Sequence, residues 1–139
     1  MENNELTETE NLFLALADKT RLRIVNLMRG GEVCVNLFSD VLIMSQPKIS
    51  RHLAYLRNAG VVSTRRHGKW VYYRIDSSIS SGATRVLNET LDWLASQNAM
   101  QTDYERLTEL NGYEEKAKTG IIDVINNYER DTEIETFLL

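Results

Sequence analysis

The fold of this chain is decided by the stretch Ser45-Gln-Pro-Lys-Ile-Ser-Arg-His-Leu-Ala-Tyr-Leu-Arg-Asn58. At 100° per residue, Ile49, Leu53 and Leu56 fall on one face, which predicts a short helix packed against a core. Ser45 suits the N-cap, and the proline two residues later suits the first turn, where its missing N–H removes no helical bond. The opposite face offers amide, hydroxyl and cationic groups, which can bond to base edges and phosphates in a DNA major groove.

Two interpretations of this exposed face are open. It can be an ordinary amphipathic helix whose polar side is only solvated, or a recognition helix that reads DNA. His52 is open in the same way, because it lies about 60° from the apolar arc and can either support the helix or contact DNA. On the second interpretation, the candidate DNA contacts are Ser45, Gln46, Lys48, Ser50, Arg51, His52 and Arg57.

Three helices are predicted before this stretch. From Thr7 the chain has the Thr-x-x-Glu spacing of a capping box, followed by an apolar helix over residues 11–17 that we expect to be mostly buried. Asp18 can cap a second helix over residues 19–28. A third helix over residues 34–42 places its apolar side chains inward. The third and fourth helices together predict a helix-turn-helix.

After residue 58 the apolar pattern changes from helical to alternating. Residues 61–66 and 69–75 are rich in strand-forming side chains and flank His67-Gly68, which predicts a hairpin with a two-residue turn. A hairpin that follows a helix-turn-helix makes a winged helix, whose wing can contact phosphates or the minor groove. The alternative is a surface hairpin whose charges only aid solubility. The candidate wing contacts are Arg65, Arg66, His67 and Lys69.

Charge is segregated along the chain. The net charge is −4, yet residues 41–75 contain no Asp or Glu and seven Lys or Arg side chains. The remaining residues therefore carry −11. A positive surface on an acidic body favours DNA at one face and repels it elsewhere. The same segregation argues against a protein-interaction module that has lost DNA binding.

The C-terminal part is helical and acidic in pattern. A fifth helix is predicted over residues 83–97, followed by a polar stretch, a break at Asn111-Gly112, and a longer helix from about residue 113. Residues 99–139 hold ten acidic and four basic side chains, so we expect them to face away from DNA. The predicted fold is mainly α with a β-hairpin, with a winged helix-turn-helix domain over residues 1–98 and a helical extension over residues 99–139.

Composition excludes several classes of protein. No apolar run approaches the length of a membrane span, and the N-terminus lacks the basic and apolar regions of a secretion signal. The single cysteine, Cys34, excludes an internal disulfide framework and suits the reducing cytoplasm, where we expect this protein. No phosphate-binding loop, nucleophile motif or metal-spaced cluster indicates an enzyme or a cofactor.

Four stretches form a specific pattern when taken in order. They are Leu12-Phe-Leu-Ala-Leu-Ala-Asp-Lys-Thr-Arg-Leu-Arg-Ile-Val-Asn-Leu27, Ser45-Gln-Pro-Lys-Ile-Ser-Arg-His-Leu53, Leu56-Arg-Asn-Ala-Gly60 and Gly68-Lys-x-Val-Tyr-Tyr-Arg74. Over residues 8–96 the chain therefore resembles the ArsR family of bacterial winged-helix repressors. The resemblance implies a homodimer, held largely by its first and fifth helices, that sits on a double-stranded DNA operator until an effector releases it.

Dimerisation is also expected on physical grounds. One short recognition helix contacts only a few base pairs, whereas two copies read a pseudo-palindrome with half-sites about one helical turn apart. The apolar stripes of the first and fifth helices need to be covered, and a partner subunit can cover them. The predicted dimer residues are Leu12, Phe13, Leu87, Leu91 and Leu94.

The resemblance does not extend to the usual sensor sites. Arsenic-sensing members similar to this chain begin the third helix with Glu-Leu-Cys-Val-Cys-Asp-Leu, whereas this chain has Glu32-Val-Cys-Val-Asn-Leu-Phe38. Cys34 keeps the first thiolate, but Asn36 replaces the second. The predicted fifth helix contains no His, which the family's other familiar metal site needs. We therefore expect no metal site, and the sequence does not identify an effector.

Two other modes of control are considered. Cys34 can be a redox sensor, because a helix N-terminus lowers a thiol pKa, or simply a small core residue. The extension over residues 99–139 can form a pocket for an effector or protein partner, enlarge the dimer interface, or act only as a buttress that adds buried area.

Overall fold

The computed structural model describes residues 2–112, with side chains from Asn4 onward. The chain forms two compact units, of which the first is Met1–Leu107. Residues 98–112 are helical, and we call their part within the first unit, residues 98–107, α6. The other elements are α1 (Glu2–Leu16), α2 (Lys19–Leu27), β1 (Val33–Cys34), α3 (Val35–Leu42), α4 (Gln46–Asn58), β2 (Val62–His67), β3 (Trp70–Ile75) and α5 (Ser81–Ala95).

The predicted fold class is confirmed. Helices dominate the described residues, and a three-stranded antiparallel sheet has the strand order β1-β3-β2. The helix α2 lies at the centre, because it packs against α1, α3, α4 and α5. Its Ile24 is fully buried together with Phe38 of α3 and Leu53 of α4, so one apolar core holds the helix-turn-helix in place.

The caps of α2 and α4 agree with the sequence prediction. The Asp18 side chain accepts a hydrogen bond from the backbone N–H of Arg21 at 3.0 Å. The Ser45 hydroxyl accepts one from the N–H of Lys48 at 3.3 Å, and Pro47 lies in the first turn of α4. Each cap satisfies an N–H that has no partner within its helix, which fixes where the helix begins.

The N-terminal helix differs from its prediction. The helix α1 begins at Glu2, so Thr7 lies inside it and does not cap it. Glu and Leu are good helix formers, and they extend the helix through the polar residues before position 11. Only one side of α1 is buried: Leu12 and Ala15 are in the core, whereas about half of the Phe13 side chain (54%) is exposed.

The hairpin turn is shifted by one residue. His67 pairs with Trp70, so the turn residues are Gly68 and Lys69 and not His67 and Gly68. Gly68 has a φ of +59°, and no positive φ occurs at Lys69. These signs match a type II′ turn, which favours Gly at its first central position and follows the twist of the flanking strands.

The strand β1 was not predicted. It has two residues, Val33 and Cys34, which pair with Tyr73 and Tyr72 of β3. A pattern with a period of two cannot be recognised in two residues. The strand joins the base of the wing to the start of α3, so the wing is anchored to the helix-turn-helix at both of its edges.

The polar stretch after α5 is also helical. The predicted break at Asn111-Gly112 is wrong, because both residues are in helix, whereas the helix predicted from about residue 113 lies outside the described residues. In α6, Asp103 accepts two hydrogen bonds from Arg23 of α2, at 2.8 and 3.0 Å. The buried Asn26 donates to the carbonyl of Met100 at 3.0 Å. Residues 98–107 therefore pack on α2 within the first unit, and the predicted domain boundary after residue 98 stays a prediction.

Candidate nucleic-acid interface

The helix α4 is fixed on one side and free on the other. Ile49, Leu53 and Leu56 are at most 2% exposed and hold the helix against the core. The N-terminal half of α4 leaves its polar side chains in solvent. The exposed residues among the predicted contacts are Ser45, Gln46, Lys48, Ser50, Arg51 and Arg57.

His52 is placed differently from the other predicted contacts. Only 19% of its side chain is exposed, and its Nδ1 lies 3.9 Å from a carboxylate oxygen of Asp18 and 3.4 Å from Nη1 of Arg21. Burial lowers the pKa of His52 below its ordinary value; the Asp18 carboxylate opposes this, and the cations of Arg21, Lys48 and Arg51 add to it. His52 therefore lies between α4 and α2, a position that favours a supporting role over a DNA contact.

The lowered pKa of His52 predicts a pH dependence of stability. The unfolded chain binds a proton at His52 more readily than the folded chain, so the free energy of unfolding should fall as the pH falls below about 6.5. His52→Gln should reduce this fall, and His67→Gln, which changes an exposed histidine, should leave it as it is. Urea unfolding between pH 5 and about 8 measures both. An equal fall in wild type and His52→Gln would contradict the assignment.

The wing presents cations from its outer half. Arg66, His67 and Lys69 are exposed around the turn, and the Lys69 amine lies 5.2 Å from the ring centroid of Trp70. The strand β2, which carries Arg66, packs against α4. The hairpin and α4 are thus neighbouring elements.

Arg65, unlike the other wing residues, is bonded to a carboxylate. Its Nε and Nη2 donate to the two carboxylate oxygens of Glu32 at 2.9 and 2.5 Å, and its guanidinium lies 4.6 Å from the ring centroid of Tyr72. The Arg65 hydrogen bond lowers the pKa of Glu32. Arg65, one of the candidate wing contacts, is therefore paired with a carboxylate that lies 33 residues away in sequence.

Within residues 4–112, the remaining predicted cations have no carboxylate partner. Across residues 4–112, no carboxylate oxygen lies within 4.0 Å of these side chains, whereas the ion pairs that do form involve Asp18, Glu32 and Asp103. A cation without a local partner keeps its full attraction for phosphate. The uncompensated cations are Lys48, Arg51, Arg57, Arg66 and Lys69.

The predicted sensor position is buried. Cys34 is 3% exposed and precedes α3 as its N-cap, while Asn36 is exposed. In the part of the chain that the structure describes, no three His, Cys, Asp or Glu side chains are grouped so as to hold a metal ion. No described helix is long and apolar enough to cross a membrane.

Four of the five predicted dimer residues lie in the core of the single chain. Leu12, Leu87, Leu91 and Leu94 are at most 9% exposed, so a partner has little of them left to cover. The argument that their stripes need a partner is therefore wrong, because contacts within the chain already cover them. Phe13 alone stays available, at 54% exposure.

Other apolar side chains of α1 and α5 are exposed instead. Leu14 is 48% exposed and Trp93 is 71% exposed. Trp93 lines an open groove of about 530 Å³ on α5 together with Val86, Thr90 and the charged residues Arg85 and Glu89. Val86, Thr90 and Trp93 have helical spacing, so α5 carries a second stripe beside its buried one. The leucine spacing in the sequence predicted the buried stripe as the interface and did not indicate this one.

Comparisons with known proteins agree with this architecture. Residues 18–64 match the model of the bacterial regulatory protein, arsR family. The chain is 44% identical to the arsenical resistance operon repressor of Escherichia coli over 101 residues, which are 72% of this chain and 85% of that protein. It is also 44% identical to the arsenic resistance transcriptional regulator ArsR1 of Pseudomonas putida over 100 residues, 71% of this chain and 77% of that protein.

Solved structures of similar proteins have the same fold. HlyU from Vibrio cholerae superposes with a TM-score of 0.58 at 33% identity, covering 70% of this chain and all of that one. A homodimeric winged helix-turn-helix DNA-binding domain from Mycobacterium bovis, Mb0332, superposes with a TM-score of 0.57 at 27% identity, covering 70% of this chain and 86% of that one.

Proposed function

The chain belongs to the ArsR family of bacterial DNA-binding transcriptional regulators, and from this premise we propose that it is a homodimeric repressor of a pseudo-palindromic operator. One observation carries the proposal: the exposed face of α4 bears Lys48, Arg51 and Arg57, with no carboxylate of the described residues paired to them. Such a face attracts the phosphates of DNA, and its polar side chains can bond to base edges. Such a regulator works in the cytoplasm, where it meets its operator.

The roles of the individual residues follow from their positions. Arg51 lies one turn into α4, where its planar fork suits the two acceptors of a guanine. Gln46 and Ser50 offer further bonds to base edges, and Lys48 suits an adjacent phosphate. Around the wing, Arg66, His67 and Lys69 contact phosphates or the minor groove. Arg65 joins them only when it leaves Glu32.

The dimer is proposed to form through exposed apolar side chains. Phe13 and Leu14 of α1 and the stripe ending at Trp93 of α5 are apolar surfaces that water disfavours. Covering them with a second copy gives a two-fold symmetric protein, which matches the two-fold symmetry of a pseudo-palindrome. The homodimeric structural neighbour supports a homodimer for this chain.

The effector is proposed to differ from that of the arsenic regulators. This chain has one cysteine, Cys34, and trivalent arsenic needs two or three thiolates from its site. The burial of Cys34 also weighs against its use as a redox sensor, because oxidation favours exposed thiolates. The contacts of residues 98–107 with α2 support the interpretation that this part of the extension is a buttress.

A salt titration on duplex DNA tests the proposed function. The purified protein should bind its own upstream region, and the logarithm of affinity should fall linearly with the logarithm of salt concentration. The five cations that have no carboxylate partner among the described residues make the slope steep, because each bound phosphate releases about one counterion. Mobility shifts at a series of salt concentrations measure the slope. An absent shift, or an affinity that salt does not change, would overturn the proposal.

Removing the carboxylate of Glu32 should strengthen DNA binding. Glu32→Gln frees Arg65 for phosphate and removes a repelling charge, so we expect an affinity about two- to threefold higher and a steeper salt slope. Glu105→Gln, which changes an exposed carboxylate of α6 in the same way, should change neither. Mobility shifts on the same operator compare the three proteins. Weaker binding by Glu32→Gln would show that the ion pair holds the wing in place.

A further inference from the structure

Arg21 of α2 contacts both α1 and α4, and no local sequence pattern distinguishes it from the other arginines. Its Nε donates to the carbonyl of Ala15 at 2.7 Å, and its Nη2 donates to the carbonyl of Leu14 at 3.1 Å. On its other side, the guanidinium lies 4.1 Å from the ring centroid of Tyr55, and Nη1 lies 3.4 Å from Nδ1 of His52. Only 13% of the Arg21 side chain is exposed.

The first pair of contacts closes the C-terminal end of α1. This helix ends at Leu16, so the carbonyls of Leu14 and Ala15 belong to its last turn, where the helical ladder of hydrogen bonds stops. The Leu14 carbonyl accepts from the N–H of Ala17 at 3.2 Å, and Arg21 supplies a further donor to it. A guanidinium supplies donors in a rigid fork, and a cation also interacts favourably with the C-terminal end of the helix dipole. Arg21 therefore binds the end of α1 by geometry and by charge.

The second pair of contacts reaches the recognition helix. Tyr55 and His52 are three residues apart on α4 and share one side of that helix. The Tyr55 ring stacks on the same guanidinium whose edge bonds to α1. One side chain thus joins the end of α1 directly to α4, at a point where lysine would supply neither the fork nor the planar stack.

Leu14 connects this link to the proposed dimer interface. Its carbonyl accepts from Arg21, while its side chain lies with Phe13 on the surface that we assign to the dimer interface. A single side chain, that of Arg21, therefore lies between the proposed interface and α4. Arg21 thus contacts groups at the end of α1 and groups on α4, which is the geometry that coupling between the two helices requires.

We propose that Arg21 is a positioning residue that fixes α4 relative to α1, and thereby sets the separation of half-sites that the dimer accepts. The inference rests on the proposed function, because it needs two recognition helices on one operator. Arg21 is too buried to be a phosphate contact, so its effect on DNA binding has to be geometric. Arg21 thus determines which half-site separation the dimer accepts, whereas the exposed side chains of α4 determine which bases it reads.

The test measures binding to inverted repeats whose half-site separation varies by up to about two base pairs on either side of one helical turn. Wild type should prefer one separation. Arg21→Met should bind that DNA about tenfold more weakly, since it loses contacts of hydrogen-bond and cation–π strength, and should distinguish the separations poorly. Arg21→Lys should behave like Arg21→Met. The matched control is Lys19→Met, which removes an exposed cation from the same helix and should keep the preference.

Variants at Tyr55 keep the test decisive if Arg21→Met does not fold. Tyr55 is 44% exposed, so changes there should leave the fold intact. Tyr55→Leu should weaken the spacing preference, whereas Tyr55→Phe keeps the ring and should restore wild-type behaviour. The salt slope should stay at the wild-type value in all of these variants.

The outcomes separate this inference from the proposed function. If wild type binds no inverted repeat, the proposed function fails. If wild type prefers one separation and the Arg21 and Tyr55 variants keep that preference, the positioning role is wrong. A uniform loss of affinity at every separation, with a salt slope lower by about one, would instead make Arg21 a phosphate contact and overturn the inference.

Discussion

Arg51→Ala is expected to weaken operator binding by about 1–3 kcal/mol, or roughly 5- to 150-fold, and to relax specificity at one base pair in each half-site. Arg51 is exposed on α4, and no carboxylate of the described residues forms an ion pair with it. The loss is large because a bidentate contact with a base edge cannot be replaced by water with the same geometry. Competition between the operator and single-base variants of it measures both the affinity and the specificity.

Two further variants distinguish base reading from phosphate binding. Arg51→Lys keeps the charge but not the fork, so it should recover the salt slope without recovering the specificity. Arg66→Ala on the wing should weaken all sequences alike and lower the salt slope by about one. If Arg51→Ala also weakened all sequences alike, Arg51 would be a phosphate contact and another residue of α4 would read the base.

Phe13→Glu is expected to convert the dimer into monomers and to lower operator affinity by roughly 10²- to 10⁴-fold. The second half-site is bound as an intramolecular event only while the two copies are joined, and this advantage is lost in a monomer. Phe13 is 54% exposed, so the single chain should keep its fold with a glutamate there. Light scattering gives the mass of the protein, and mobility shifts give its affinity.

Controls for this variant separate the loss of a surface from the addition of a charge. Asn11→Glu adds a negative charge two residues away on α1, on a different side of the helix, and should leave the dimer intact. Trp93→Glu should act like Phe13→Glu if α5 also takes part. A dimeric Phe13→Glu protein with normal binding would remove α1 from the interface.

The sequence was sufficient for those parts of the fold that local patterns determine. The spacing of Ile49, Leu53 and Leu56 predicted α4, and Ser45 with Pro47 predicted where it begins. These features depend on neighbours within one helix, whose geometry fixes which side chains meet. The acid-free stretch likewise predicted a cationic surface, because charges that have no acidic neighbours in sequence often stay uncompensated.

Contacts between distant residues were not predictable in this way. Glu32 neutralises Arg65 across 33 residues, and Asp103 binds Arg23 across 80 residues, so no local pattern announces either pair. The predicted hairpin turn was wrong by one residue, because both His67-Gly68 and Gly68-Lys69 place a glycine in a two-residue turn.

The residues of the dimer interface were also not predictable from the sequence. The helix α5 carries its leucines on one side and Val86, Thr90 and Trp93 on another, and spacing alone does not show which side faces the core of the same chain. The structure buries Leu87 and exposes Trp93, which reverses the sequence-based choice. Burial is decided by how α5 packs on α2, and that packing depends on the whole chain.

Selection of bound DNA from a random library tests the central claim most directly. Two copies of α4 related by two-fold symmetry should enrich an inverted repeat whose half-sites lie about 10–10.5 base pairs apart, centre to centre. The bound complex should contain two chains for each duplex. Enrichment of a single unrepeated site bound by one chain, or no enrichment at all, would contradict the account.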